Sequence, residues 1–163
     1  MNLKLEASNN SGGSPKLCFH SLAIRTAALL LCYVISGCST FHREWKQAGA
    51  PPNPAGDITG RWQGTWKSEV TGHHGTLRCV ATRESPEQYR FLYRATWKKI
   101  LHGTYPVNQT VRREGATFQM RGGADLGKLY GGHYEYEGQA TPTNFVSTYR
   151  SKGDHGKFEM TRP

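Results

Sequence analysis

The chain is poor in cysteine, in acid and in long apolar runs, and each shortage excludes something. It holds four cysteines in 163 residues, and only Cys79 lies beyond residue 38. A lone cysteine with no motif around it reads as a small buried apolar side chain rather than a nucleophile. Asp and Glu number 12 against 21 Lys and Arg, a net charge of +9. Such a balance favours anionic partners: phospholipid headgroups, acidic polysaccharide or nucleic acid. No basic run exceeds two residues, however, and the charges are scattered on alternating positions, as on a solvated face. The most apolar stretch, Thr26 to Ile35, has ten residues, too short to span a bilayer. No Gly-x-Ser-x-Gly elbow and no tight His-x₃-His spacing occurs. Gly122-x₄-Gly127-Lys128 imitates a phosphate loop, but Leu129 stands where Ser or Thr is needed and its flanks read as strands. No catalytic motif remains, and the chain is expected not to be an enzyme.

What the first 38 residues do have is an address. Lys4, Lys16 and Arg25 form a basic lead into the run Thr26–Ile35. Ser36 and Gly37, both small, then precede Cys38. This arrangement resembles the lipobox of bacterial lipoproteins over residues 16–38. The resemblance implies that residues 1–37 are a signal peptide. It further implies that Cys38 receives a thioether-linked diacylglycerol and becomes the mature N-terminus, usually with an added acyl chain such as palmitate. Two or more chains anchor stably where one does not, at about 0.8 kcal/mol per buried CH₂. Cys18 and Cys32 would leave with the signal, so Cys79 would have no disulfide partner and stability must come from a packed core. Subtracting Lys4, Lys16, Arg25 and Glu6 leaves 18 basic and 11 acidic residues, a net charge of +7 for residues 38–163. An exported protein seldom meets nucleic acid, and no nucleic-acid partner is expected. Ser39 after the cysteine, rather than Asp, favours the outer membrane within the cell envelope.

Residues 38–56 read as a lipidated cysteine and a Pro-rich tether, with Pro51, Pro52 and Pro54 among Ala, Gly and Asn. Phe41 and Trp45 lie close to the anchor. They suit either the lipid interface or a cap on the domain that follows.

From residue 57 to 163 the apolar pattern has period two, the signature of strands. Tyr89, Phe91, Tyr93, Ala95 and Trp97 alternate with Arg90, Leu92, Arg94, Thr96 and Lys98. Seven further runs show the same habit: 60–66, 75–82, 104–112, 116–121, 129–137, 144–150 and 157–162. The connections are short and rich in Gly, Pro and Asp. Eight strands with one apolar face each bury that face best by closing on themselves, which also removes the exposed edges. The fold class is therefore all-β, an eight-stranded up-and-down antiparallel barrel, with a two-sheet sandwich as the alternative.

Gly60-Arg61-Trp62 opens the first strand, and Arg162 follows Phe158 and Met160 on the last. This resembles the calycin superfamily of lipocalins, fatty-acid-binding proteins and avidins. There a Gly-x-Trp on the first strand packs against an arginine near the chain's end. The resemblance implies that Trp62 and Arg162 pair at a closed barrel base, and that a small apolar ligand occupies the interior.

In a meander, alternate turns emerge at one end. That places His73, His74, His102, Asp125, Asp154 and His155 around a single mouth, with Pro86, Arg113 and Pro142 at the other end. Imidazole and carboxylate suit zinc, the metal such a rim would take; otherwise no cofactor is expected. Plain turn chemistry explains the same residues. Two classes of function stay open. One is a filled barrel with a structural or interaction role at the envelope, its basic wall meeting anionic polymer or another protein. The other is a barrel that binds a small apolar ligand or a metal ion at its mouth. Fourteen large rings point inward, which makes the filled barrel the physical default.

Overall fold

In the computed structural model, residues 40–49, 56–98, 100–128 and 131–163 are described. The signal segment, Cys38, Tyr130 and most of the Pro-rich stretch lie outside them. Residues Gly37–Pro163 form a compact unit by themselves.

Eight strands follow one another: β1 (Gly60–Ser68), β2 (His74–Arg83), β3 (Gln88–Trp97), β4 (Leu101–Glu114), β5 (Thr117–Asp125), β6 (His133–Ala140), β7 (Asn144–Arg150) and β8 (His155–Thr161). Each pairs antiparallel with the next, and β8 closes on β1 from Gln63↔Thr161 to Ser68↔Gly156. The architecture is the closed up-and-down barrel expected from the alternation, and not a sandwich. Burial follows the period-two pattern, most cleanly on β7 and β8, where buried and exposed positions alternate without exception.

Several strand boundaries differ from expectation: β5 runs on to Asp125 and β8 starts at His155, so both residues leave their expected turns. β4 begins at Leu101 rather than Thr104, because Gly103 and His102 pair with Ala95 and Thr96. β6 begins at His133, opposite Asp125. Ala95, small and inward-facing, lines a pocket at the mouth. Gly132 lies in a turn, with φ 79°. Gly64 marks a close approach, since a Cβ there would stand 1.9 Å from the Glu159 carbonyl oxygen.

Residues 40–47 are not extended tether but a helix, α1, that packs on the outer wall of the barrel. Phe41, Trp45 and Ala48 fall at the i, i+4, i+7 spacing of one helical face. They cover Val80 of β2 and Leu92 of β3, and Phe41 is 1% exposed. Polar contacts clamp the helix at its middle and its C-terminus. The Arg90 guanidinium meets Glu44 at 2.8 Å, and Arg61 donates to the carbonyls of Trp45 and Lys46 at the helix C-terminus. Arg61 and Arg78 stack over the Trp45 ring, and Arg94 over Phe41. Phe41 and Trp45 thus cap the domain.

Candidate functional site

The interior divides into two halves. The base half is filled. Trp62, Phe91, Phe145, Val107, Met120 and Met160 are all buried in one core. Trp62 donates its indole N–H to the Ile58 carbonyl at 2.9 Å, and its ring lies 5.5 Å from Phe145. Arg162 closes this end, its Cζ 3.9 Å from the Trp62 ring centroid. Its guanidinium donates to four backbone carbonyls: Pro142 at 3.0 Å, Thr59 at 2.8 Å, Arg61 at 3.2 Å and Asp57 at 3.1 Å. It thereby joins the lead-in to β1 and the β6–β7 turn. Partial burial lowers its affinity for its proton, and the neighbouring Asp57 opposes that effect. A cleft of about 320 Å³ outside this end is lined by Arg83, Arg113 and Asp57 among others.

Within the filled interior sits a buried polar side chain that sequence reasoning missed. Gln109 points inward from β4, 1% exposed, with its Nε2 3.4 Å from the Tyr93 hydroxyl. Among the described residues its Oε1 has no hydrogen-bond partner. Gly122 of β5 makes the room, because a Cβ there would press on the Gln109 Cα at 2.8 Å. The signal lies in parity: Gln109 shares the inward register of Tyr105, Val107 and Val111. Burial drives the phenol pKa values of Tyr93, Tyr105, Tyr136 and Tyr149 upward, so these hydroxyls stay protonated.

The mouth half is open. A pocket of about 640 Å³ enters it. Trp66 and Trp97 form one side, Tyr105, Tyr134 and Tyr136 another, and Tyr149 and Phe158 complete the wall. The rings contact one another at centroid distances of 5.1 Å for Tyr149–Phe158 and 6.3 Å for Tyr134–Tyr136. Trp66 donates its indole N–H to the Thr96 carbonyl at 3.1 Å, which fixes its orientation across the tops of β1 and β3. A second pocket of about 610 Å³ shares Trp66, His73 and Trp97 with the first. The outer groove over β4–β7 is slightly larger, about 700 Å³, but Arg112, Arg121 and Glu137 line it, and Arg121 pairs with Glu137 at 2.9 Å. Aromatic lining with a few polar groups is what small-molecule sites have, and the mouth has it.

The six expected mouth residues separate. His73, Asp125 and Asp154 line the mouth pocket. His74 borders only the second pocket, with Nδ1 3.3 Å from the Gly72 carbonyl. His102 belongs to β4 rather than to a turn, opposite Thr96. His155 starts β8 opposite Arg150, its Nε2 3.9 Å from Glu69. Asp154 holds two turns together. Ser68 donates to its Oδ1 at 2.6 Å and Tyr149 to its Oδ2 at 3.3 Å. Ser68, itself 1% exposed, also accepts from the Thr71 amide at 3.0 Å, so these contacts tie the β1–β2 turn to the β7–β8 turn. Asp125 accepts from the Gly127 amide at 2.8 Å in a local turn. Among the described residues no three His, Cys, Asp or Glu side chains gather closely enough to hold a metal ion. Cys79 is fully buried and free, and burial pushes its thiol pKa well up, which leaves it a poor nucleophile.

No protein-family model matches the chain, and no curated protein matches it.

Proposed function

We propose that this chain is an exported lipoprotein whose barrel is a non-catalytic binding module for a small, flat, largely apolar molecule at the cell envelope. One observation carries the binding reading. The base half of the barrel is filled and sealed, whereas the mouth half keeps an aromatic-walled pocket of about 640 Å³. A barrel that served only as a structural body would gain by filling that space as well. The pocket volume lies in the range of small-molecule sites, and its aromatic walls suit a ligand with flat apolar faces. The Tyr105 and Tyr136 phenols around it are polar groups that remain protonated at any physiological pH.

The anchoring part of the proposal rests on the sequence alone, on Thr26–Ile35 followed by Ser36-Gly37-Cys38. It predicts a diacylglyceryl adduct on Cys38 and a location in the outer membrane or elsewhere in the envelope.

The test is native mass spectrometry of untagged protein from its own host, under conditions that keep weak ligands. An organic mass beyond the acyl chains, lost on Trp97→Ala, is the expected result. A bare polypeptide with acyl chains sinks the ligand reading and returns the barrel to an interaction role through its basic wall. An excess of one metal ion, lost on His73→Ala, would instead identify the mouth as a metal site.

A further inference from the structure

The two ends of the barrel differ outside as well as inside. Among the described residues the large hydrophobic side chains most exposed to solvent are Ile100 at 80%, Val70 at 53%, Leu101 at 47% and Val146 at 46%. Three of these four stand at the mouth: Val70 in the β1–β2 turn, and Ile100 and Leu101 at the tip of the β3–β4 hairpin. The hairpin tip is also locally basic. The mouth turns carry Lys98, Lys128 and Lys152, with Lys99 beside Lys98 in the sequence. The acids of this end lie at the other turns: Glu69, which meets Lys157 at 3.0 Å, Asp125, and Asp154, which accepts from Ser68 and Tyr149. The base carries both signs: Glu84 and Glu87 lie in the β2–β3 turn, Arg83 donates to the Ser85 and Pro86 carbonyls across it, and Arg113 and Arg162 stand nearby. The hairpin tip is also a shaped turn. Lys98 has φ 48°, in the left-handed region, and among the described residues it alone does so without being glycine.

We infer that the mouth rim docks on an anionic lipid surface, with Ile100 and Leu101 entering the interface and Lys98 meeting the headgroups. Apolar side chains flanked by lysines suit an interface where the chain ends are buried and the ammonium groups reach phosphate. Helix α1 points to the same partner. Phe41 is held beside Arg94, and Arg94 lies six residues before Ile100, about 20 Å along an extended strand. Cys38 precedes Phe41 by three residues, so the chain between them spans at most about 10 Å. An anchor so close to a clamped helix holds the hairpin tip within reach of the membrane. Docking of this rim would open the aromatic pocket toward the bilayer, where apolar molecules are concentrated. The choice of membrane as partner draws on the anchored reading. The contact itself does not require acyl chains.

The test uses residues 39–163, a stretch within the unit that is compact on its own. Sedimentation is measured with vesicles of phosphatidylcholine containing about one-third phosphatidylglycerol, and with phosphatidylcholine alone. Wild-type protein is expected to bind the anionic vesicles, and less so as salt rises. Ile100→Ser with Leu101→Ser is expected to weaken binding about tenfold or more. Lys98→Glu is expected to weaken it about fivefold or more. Val146→Ser, on the side wall, is the control and is expected to change nothing. Because Ile100, Leu101 and Lys98 are exposed, the variants should melt as the wild type does. The inference is overturned if wild-type protein ignores anionic vesicles, or if the double variant binds them equally well. Cys38 acylation is read separately, from the mass of the host-derived protein, so a failed anchor and a failed docking surface are distinguishable.

Discussion

At the base of the barrel one arginine closes the chain's two ends over a tryptophan. At the mouth, by contrast, four turns surround an opening. The base spends its aromatic rings on packing: Trp62 is fully buried and its indole N–H has an acceptor. The mouth leaves Trp66, Trp97 and Tyr134 partly exposed around a space. The difference shows how one barrel can hold stability and binding apart. Rigidity comes from the sealed end, so the open end is free to keep an unfilled pocket and exposed apolar side chains.

The comparison is most directly broken by truncating one tryptophan at each end. Trp62→Ala removes a fully buried ring and leaves a cavity, and should cost about 3–5 kcal/mol in urea unfolding. Trp97→Ala removes a partly exposed ring beside an open space, and should cost about 1–2 kcal/mol while abolishing ligand retention. Equal losses at the two ends would mean that the mouth pocket is structural.

Next in size is the seal itself. Arg162→Ala gives up the cation over Trp62 and leaves four carbonyl partners short, and about 2–3 kcal/mol of stability should go with it. Arg162→Lys should recover less than half of that, because one ammonium group cannot reproduce a planar fork that reaches Pro142, Thr59, Arg61 and Asp57 together. Denaturant midpoints of the three proteins decide the point.

These ends are unequally legible in the sequence. The strands are clear because a small closed barrel forces a strict period of two, and Phe145, Ser147 and Tyr149 of β7 show why one apolar face suffices. Trp62 and Arg162 are visible as short motifs at the two extremes of the domain. Their contact requires closure of β8 on β1, which the strand count implies. The mouth is harder. The histidines draw attention because of their chemistry. Yet the backbone carries β4 down to Leu101, placing His102 on a strand, and Asp154 is occupied by Ser68 and Tyr149. Gln109 escapes notice because a polar residue breaks the apolar alternation that marks the inward face. Helix α1 is hidden by its neighbourhood: three prolines after residue 50 suggest an extended tether, while the Phe41–Trp45–Ala48 spacing carries the contrary signal.

The buried phenols of the interior give a third, smaller effect, visible only at high pH. Burial raises the pKa values of Tyr93, Tyr105, Tyr136 and Tyr149 above the ordinary value of 10. In the unfolded chain these phenols ionise near pH 10; in the folded barrel they do not. The folded state therefore keeps its full stability below pH 10 and loses it as pH rises from there towards the folded values. Absorbance at 295 nm should show the exposed tyrosines ionising gradually and the buried ones abruptly, together with loss of near-ultraviolet circular dichroism. Tyr93→Phe should move that alkaline midpoint upward. A smooth single titration of all tyrosines, with the fold intact, would place these rings in solvent and erase the boundary between the halves.

The smallest effect belongs to the rim. Glu69 sits at the top of the β1–β2 turn, its carboxylate pKa lowered first by its hydrogen bond to Lys157 and next by that ammonium's charge. A carboxylate lowered on folding stabilises the native state at pH values above its unfolded pKa, and that contribution is lost as pH falls through the folded value. Both partners are exposed, so solvent and salt screen the pair and the thermal midpoint should barely move between pH 7 and pH 3 on its account. What should move is local. In Glu69→Gln, the His155 and Lys157 resonances at the start of β8 should shift by nuclear magnetic resonance while those of Trp62 and Arg162 at the base stay fixed. The two ends are joined by strands of seven to ten residues on β1, β2, β7 and β8, and a stiff closed wall passes little of a charge change at one rim to the other. A shift that reached Arg162 would show the barrel to be one coupled body, and the separation of a sealing end from a binding end would then have to be given up.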